Sequence, residues 1–477
     1  MQELSPDEPE RDWDVEDVTV TDPGIIRRAI GAASIGNVTE WYDFGVYAYF
    51  EPTIKEVFFS NLPDTMGTIA TFGTFAVAFL VRPFGGLFFG PLADRIGRNK
   101  VLATTMIMMA LGTFAIGCIP SHAAIGLAAP ILLLLARLVQ GFSTGGEYGN
   151  AMTFIAEYAP DRRRGFLGSW LEFGTFTGYL MGAIIVTVAN ASLSDDALLS
   201  WGWRIPFFVA LPLGIVGVYL RTRLADTPAY LALEKESEER EKENKTGREF
   251  KEIFSLWPFL LVCMGLVLVW NVTYYMLTSY MPTYVTTTLP ELQGGHGVSS
   301  QTSQLLQIAV MAIALVTIPL LGLLSDRIGR KPIAWVGAIG LVVLAMPMVL
   351  LIRDHHVGTV FGGLLIMVLL LICFSSTMPS TLPTLFPTNV RSGGLSIAFN
   401  VSISLFAGTT SVVVGALVSL THDLNWPGYY LIAAGVIGVV SVWFTREPRG
   451  RRMWGSAPAA ASEEEAEEII EEQRAAA

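Results

Sequence analysis

The sequence predicts an all-α membrane protein with twelve spanning helices in two six-helix halves. Composition, span length and internal repetition point there together. Hydrophobic residues make up 52% of the chain and charged residues only 15%, with a mean hydropathy of +0.50, too apolar for an ordinary soluble domain of this length. Uncharged stretches close to the roughly 20 residues that a helical span requires recur along the chain. One hydrophilic loop occurs twice, as Gly90-Pro-Leu-Ala-Asp94-Arg95-Ile-Gly97-Arg98-Asn-Lys100 and Gly322-Leu-Leu-Ser-Asp326-Arg327-Ile-Gly329-Arg330-Lys331, each copy between two long apolar runs. Such repetition marks a duplicated architecture. Pro160-Asp-Arg-Arg-Arg164-Gly165 and Pro387-Thr-Asn-Val-Arg391-Ser-Gly393 repeat at nearly the same offset.

An N-terminal tail, 1–28, is acidic and polar, with no basic segment leading into a cleavable apolar core, so no secretory signal peptide is expected. Splitting the apolar stretches where Pro, Gly or a polar cluster permits reversal gives spans at 29–50, 66–92, 100–119, 124–154, 165–190 and 202–221, a first half of 29–222. The run from Val101 to Ala136 is too long for one helix and turns at Pro120-Ser121-His122. A linker, 223–255, follows; its dense mixture of both charges reads as solvated helix or flexible chain. The second half, 256–446, holds spans at 256–286, 300–324, 332–352, 357–384, 392–420 and 426–445. The tail 447–477 is acidic and expected to be helical, with Ile469 and Ile470 as its apolar pair, and too short for a coiled coil of several heptads. The protein is expected to work as a monomer.

Lys and Arg gather in alternate loops, which puts both termini in the cytoplasm by the positive-inside rule. The net charge of −11 comes largely from the tails and reads as solvation, with no support for nucleic-acid binding. Cys118, Cys263 and Cys373 lie in separate apolar spans without metal-ligand spacing. The chain has no Walker-type phosphate loop, His-Glu-x-x-His or nucleophile elbow. A gradient-driven transporter is therefore expected, with no catalytic residues, metal or cofactor.

Both repeated loops resemble the Gly-x-Leu-Ala-Asp-Arg-x-Gly-Arg-Lys signature of the major facilitator superfamily, and the likeness runs over residues 25–448. Gly36-Asn-Val-Thr-Glu-Trp-Tyr-Asp-Phe-Gly45, Arg82-Pro-Phe-Gly-Gly86, Gln140-Gly-Phe-Ser-Thr-Gly-Gly-Glu-Tyr148 and Trp201-Gly-Trp-Arg-Ile-Pro-Phe207 resemble its metabolite:proton symporter branch. Asn271-Val-Thr-Tyr-Tyr-Met276, Tyr280-Met-Pro-Thr-Tyr284 and Ser380-Thr-Leu-Pro-Thr-Leu-Phe-Pro-Thr388 are most similar to its osmoprotectant carriers of proline and glycine betaine. The resemblance implies the twelve-helix facilitator fold, alternating access, the proton as coupling ion and a bacterial cytoplasmic membrane. Sister proteins carry shikimate, 2-oxoglutarate or citrate.

Ionisable residues deep in a span are functional candidates, because a charge in the membrane is costly. Here they are Glu40, Asp43, Arg82, Arg137, Glu147 and Glu172, all in the first half. Asp43 and Arg137 fall midway along their spans, near the plane where facilitator sites lie. In the similar sugar:proton symporters an acid matching Asp43 faces an arginine matching Arg137. Desolvation raises a carboxyl pKa and an adjacent guanidinium lowers it, so making and breaking such a contact can move a proton. Glu40, one turn away on the same face, is the second candidate. The alternative is a structural pair that locks spans 1 and 4 together. Glu147 and Glu172, nearer the span ends, read equally as wet or capped structural groups.

Arg82, before a Pro-Phe-Gly-Gly break, reads either as a substrate-carboxylate anchor or as a donor to freed backbone carbonyls. Aromatic faces bind quaternary ammonium groups. The candidates are Trp41, Tyr42, Phe44 and Tyr47 in span 1, Trp170 and Phe173 in span 5, and Trp270, Tyr274, Tyr275, Tyr280 and Tyr284 in span 7, with Asn271 beside Trp270. A dicarboxylate would want a second buried cation, which the second half lacks. The gate residues expected are Asp94, Arg95, Arg98, Glu157, Arg164, Asp326, Arg327, Arg330 and Arg391. The aspartates would cap helix N-termini or pair with arginines, and Glu157 would pair with Arg164. The position matching Glu157 is Thr384, so an asymmetric brace is expected.

The function expected is proton-coupled import of zwitterionic compatible solutes such as proline and glycine betaine, with any osmotic activation arising from membrane and cytoplasmic effects and not from a coiled coil in the tail. The alternatives are a proton symporter of a carboxylate metabolite and a facilitator-derived sensor that does not translocate.

Overall fold

The computed structural model describes residues 13–222, 251–294, 297–354 and 356–476. Among them are α1 (Pro23–Tyr49), α2 (Asp64–Ile96), α3 (Arg98–Cys118), α4 (Ala128–Tyr158), α5 (Arg164–Ser192) and α6 (Arg204–Thr222). The second half repeats the plan with α7 (Trp257–Tyr275), α8 (Ser300–Ile328), α9 (Arg330–Ile352), α10 (Val357–Ser375), α11 (Arg391–Ser402) and α12 (Trp426–Phe444). α7 continues through π-helical turns at Met276–Tyr280 and Tyr284–Thr288 to Gln293, and α11 continues through Ile403–Ala407 to Thr421.

Ten described segments are long and apolar enough to cross a membrane, and α6 with the preceding Asp195–Gly202, bent by 40°, makes an eleventh. α1 falls short of that apolarity because Asn37, Glu40 and Asp43 interrupt its middle. All three are buried inside the bundle. Membrane helices pack through small residues that let backbones touch. α1 and α5 do so at Gly178, where a Cβ would strike the Val38 carbonyl.

The repeated loops join α2 to α3 and α8 to α9. Gly97 and Gly329 take φ of 103° and 102°, a region that favours glycine. That requirement explains the second glycine of each motif. The turn expected at Pro120-Ser121-His122 lies between α3 and α4, where a short helix, His122–Ile125, intervenes. The linker expected at 223–255 falls, up to residue 250, outside the described residues, as do residues 1–12.

The tails differ from the solvated segments expected. A strand β1 (Thr19–Val20) pairs in parallel with β2 (Ala459–Ala460). The helix α13 (Glu463–Ala476) buries Ile469 and Ile470 in a small cluster with Val18, Ala460 and Ala466. An acidic helix with one apolar stripe must cover it, and the N-terminal segment supplies the cover. Ion pairs Arg162–Glu468 at 2.5 Å, Arg162–Glu472 at 2.8 Å and Arg474–Asp14 at 2.7 Å fasten the rest. Both described ends of the chain therefore lie on one end of the bundle.

Candidate functional site

α1 turns two carboxylates toward two different neighbours. Residues three apart on a helix differ by about 60° in direction, enough to send Asp43 to α4 and Glu40 to α2. Asp43 accepts from Arg137 Nη1 at 3.1 Å, with both side chains fully buried. Arg137 Nη1 also donates to Gln140 Oε1 at 3.1 Å, and Gln140 Nε2 donates to Thr113 Oγ1 at 2.8 Å. The Arg137 guanidinium lies 3.5 Å from the Tyr47 ring centroid. Glu40 does not share this partner. It stands 4.0 Å from Arg82 Nη2, so the two acids form separate pairs.

Arg82 is held between Phe44 and Phe79, at 4.8 and 4.6 Å from their centroids. Its backbone is pressed onto α4 at Gly145, where any Cβ would strike the Arg82 carbonyl. Its Nε and Nη2 have no hydrogen-bond partner among the described residues. Those donors favour the anchor reading of Arg82 over bonding to freed carbonyls.

An aromatic cluster drawn from both halves adjoins the two pairs. The Trp41 ring meets Tyr274 edge-on at 5.2 Å and Tyr148 at 6.4 Å. Tyr275 meets Phe79 at 5.3 Å, Tyr274 at 5.4 Å, and Phe176 meets Tyr274 at 5.6 Å. Tyr148 stacks on Phe399 at 4.8 Å and lies 6.2 Å from Trp270. Trp270 Nε1 donates to Ser375 Oγ at 3.0 Å. The Tyr274 and Tyr275 hydroxyls are buried and without a hydrogen-bond partner among the described residues.

Some sequence candidates stand elsewhere. Asn271 donates to Val267 O of its own helix at 3.1 Å. Tyr280, beyond the first π-helical turn of α7, packs against Tyr284 at 5.6 Å. Tyr42 bonds the Pro206 carbonyl in a separate cluster, because it lies on the opposite side of α1 from the acids. Trp170 and Phe173 line an outer groove between α1 and α5 instead of the interior. The residues sequence reasoning missed are Phe79, Tyr148, Phe399, Gln140 and Thr113. Phe79 lies one turn before Arg82, a spacing that could have found it.

At the end of the bundle that carries the termini, the halves are locked. Glu157, closing α4, receives Arg98 from the start of α3 and Arg391 from the start of α11, the latter at 2.7 Å. This corrects the expected Glu157–Arg164 pair. Arg164 instead folds back onto Asp161 and the Ala156 carbonyl and reaches Arg451 O at 3.1 Å. Asp161, three residues before it, takes its charge. The expected asymmetry takes a specific form, in which one carboxylate braces both halves.

Arg391 also donates to Trp454 O at 2.6 Å, so the tail joins the brace. Asp326 accepts the N–H groups of Gly165 and Phe166 at 2.8 and 2.7 Å, capping α5 from the other half, and pairs with Arg330 at 3.3 Å. Arg95 and Arg327 are exposed. The Asp94 side chain lies outside the described residues. At the opposite end, a cleft of ≈210 Å³ lined by Tyr47, Thr71, Tyr179, Thr278 and Ser303 enters between the halves. Tyr179, whose hydroxyl donates to Thr278 O at 3.3 Å, lies between this cleft and Tyr274. The arrangement is a buried cluster of charged and aromatic side chains drawn from both halves, with one end of the bundle braced shut. Among the described residues, no group of three His, Cys, Asp or Glu side chains could hold a metal ion.

Residues 29–249 and 232–446 match the family described as Sugar (and other) transporter. The chain is 47% identical over 460 residues to a proline/betaine transporter of Salmonella typhimurium, covering 96% of this chain and 90% of that one. It is 46% identical over 462 residues to the glycine betaine/proline/ectoine/pipecolic acid transporter OusA of Dickeya dadantii, covering 96% and 91%. Among solved structures it superposes on the proton:xylose symporter XylE bound to 6-bromo-6-deoxy-D-glucose with a TM-score of 0.75 at 18% identity, covering 94% of this chain and all of that one. The inward-open form of XylE from E. coli gives 0.58 at 19% identity, covering 93% and 99%. The chain is a multi-pass membrane protein that belongs to the Sugar (and other) transporter family of the major facilitator superfamily.

Proposed function

We propose that this protein imports zwitterionic compatible solutes, glycine betaine and proline first among them, together with protons. The observation that carries the proposal is Arg82: a buried guanidinium with donors to give, beside aromatic faces from both halves. A zwitterion needs both features at once. Its carboxylate would take Arg82, and its ammonium would lie against Trp41, Tyr274, Tyr275 and Trp270, each face contributing about 0.5–2 kcal/mol. The transport names of the relatives support this reading.

Asp43 and Arg137 are assigned to proton coupling. Protonation of Asp43 removes the charge that holds Arg137, freeing spans α1 and α4 to shift. Glu40 is assigned to holding Arg82 until substrate replaces it. The braced end is the cytoplasmic end of a bacterial inner-membrane protein acting as a monomer, with both termini inside. Opening Glu157 from Arg98 and Arg391 exposes the central cluster to the cytoplasm as the halves rock.

The test is radiolabelled glycine betaine uptake into proteoliposomes under an inward proton gradient. Unlabelled proline, shikimate and 2-oxoglutarate serve as competitors, at low and raised osmolality. Uptake abolished by an uncoupler and blocked by proline alone supports the proposal. Transport of shikimate or 2-oxoglutarate without betaine overturns it.

A further inference from the structure

We propose that the outer groove between α1 and α5 binds a phospholipid with an anionic headgroup from the leaflet on the termini's side. The groove has a volume of ≈710 Å³, and among the described residues the spans that line it are α1 and α5, with Pro160 and Ala461 at its terminal end. What fills it therefore comes from the surrounding bilayer.

The mouth and the body of the groove differ in chemistry as a lipid does. Arg27 and Arg163 stand at the mouth, both exposed and neither in an ion pair among the described residues. The carboxylates nearest in the chain are already engaged. Asp22 caps the N–H groups of Gly24 and Ile25. Asp161 holds Arg164 and accepts from Ala459 N–H at 3.1 Å. Glu465 accepts from Ala461 N–H at 2.9 Å. Among the described residues, two cations outside any ion pair thus face the headgroup region.

Below them the lining is apolar, with Ile30, Val38, Phe166, Trp170 and Phe173. From Arg27 to Val38 the helix rises about 16 Å, close to the roughly 15 Å depth of one leaflet's hydrocarbon. The groove therefore matches an acyl chain in length. A zwitterionic headgroup would bring its own cation to the two arginines, whereas an anionic headgroup complements them, favoured by roughly fivefold per arginine. Ala461 follows β2 directly, so a bound headgroup would touch the strand that fastens the two tails.

The test uses the full chain in phosphatidylcholine vesicles that carry a minor fraction of either brominated-acyl phosphatidylglycerol or brominated-acyl phosphatidylcholine. Bromine quenches tryptophan on contact, and the share due to Trp170 is the difference from Trp170→Phe. Expected is quenching of that share at least fivefold more effective with the phosphatidylglycerol. The double substitution Arg27→Gln with Arg163→Gln should equalise the two lipids, while Arg28→Gln, an exposed arginine outside the groove, should leave the preference intact. Equal quenching by both lipids in the unaltered chain overturns the proposal without recourse to any arginine variant. So does a preference that survives the double substitution.

Discussion

Replacement of Glu157 by Gln should open the braced end. Glu157 is the carboxylate that receives both Arg98 and Arg391, and all three side chains are fully buried. The amide removes the charge and leaves two guanidiniums facing each other out of water. Breaking a buried ion pair on one side typically costs about 3–5 kcal/mol. The low end applies, because Arg391 keeps Phe386 O, Thr388 Oγ1 and Trp454 O as acceptors. In the open state water hydrates both cations, so the penalty falls on the closed state alone. About 3 kcal/mol corresponds to a shift on the order of a hundredfold toward the open state.

A cysteine placed at position 396 reads this out, since Ser396 is buried where α11 packs on Gly90 and Gly149. With Cys118, Cys263 and Cys373 replaced, Ser396→Cys should react with N-ethylmaleimide on the order of a hundred times faster when Glu157→Gln is added. Ser303→Cys, in the opposite cleft, should react more slowly. Arg164→Gln should not reproduce the effect. Acceleration of Ser396→Cys by less than about tenfold, or an equal effect from Arg164→Gln, would refute the single-carboxylate brace.

Three further outcomes follow from the same geometry. Asp43→Asn should abolish proton-driven accumulation of betaine while sparing counterflow exchange; loss of neither, measured in proteoliposomes, removes Asp43 from coupling. Tyr274→Leu should weaken betaine binding by roughly 2- to 30-fold, from the 0.5–2 kcal/mol of one aromatic face. Tyr274→Phe should leave binding unchanged in the same titration, because the hydroxyl has no partner among the described residues. Gly329→Ala should lower the thermal midpoint in detergent through about 1–2 kcal/mol of left-handed strain, with added crowding of Glu447, whereas Gly358→Ala, with open space around it, should not.

The architecture was legible because membrane spans are written in runs of apolar residues and the duplication repeats whole motifs. Gly97 and Gly329 were visible for the same reason, as a φ near +100° leaves few residue choices. Asp43 with Arg137 could be paired because both fall midway along their spans. The partner of Glu40 could not, since it depends on a 60° difference in direction and on Gly145 letting α2 press against α4. Trp170 and Phe173 were indistinguishable from Trp41 by residue type. Only the rotation of α5 decides that they face outward. In the C-terminal tail Ile469 and Ile470 were visible as an apolar pair, but their cover was not, since it comes from Val18 and Ala460, far away in the sequence or outside the helix.

The division of labour between the halves bears directly on what the site can accept. Among the described residues, both deep ion pairs belong to the first half, whereas the second half brings Trp270, Tyr274, Tyr275 and Phe399 without a charge of its own at this level. A ligand that used only the arginine would touch one half, and a ligand that used only aromatic faces would leave Glu40 bound to Arg82. Under the proposed function, one molecule must carry an anion for Arg82 and a cation for the aromatic faces to draw the halves together. Closure then rewards the pair of groups and not either alone. A quaternary amine lacking the carboxylate should therefore occupy the site without being transported, and choline competing with betaine yet failing to accumulate would be the mark of this arrangement.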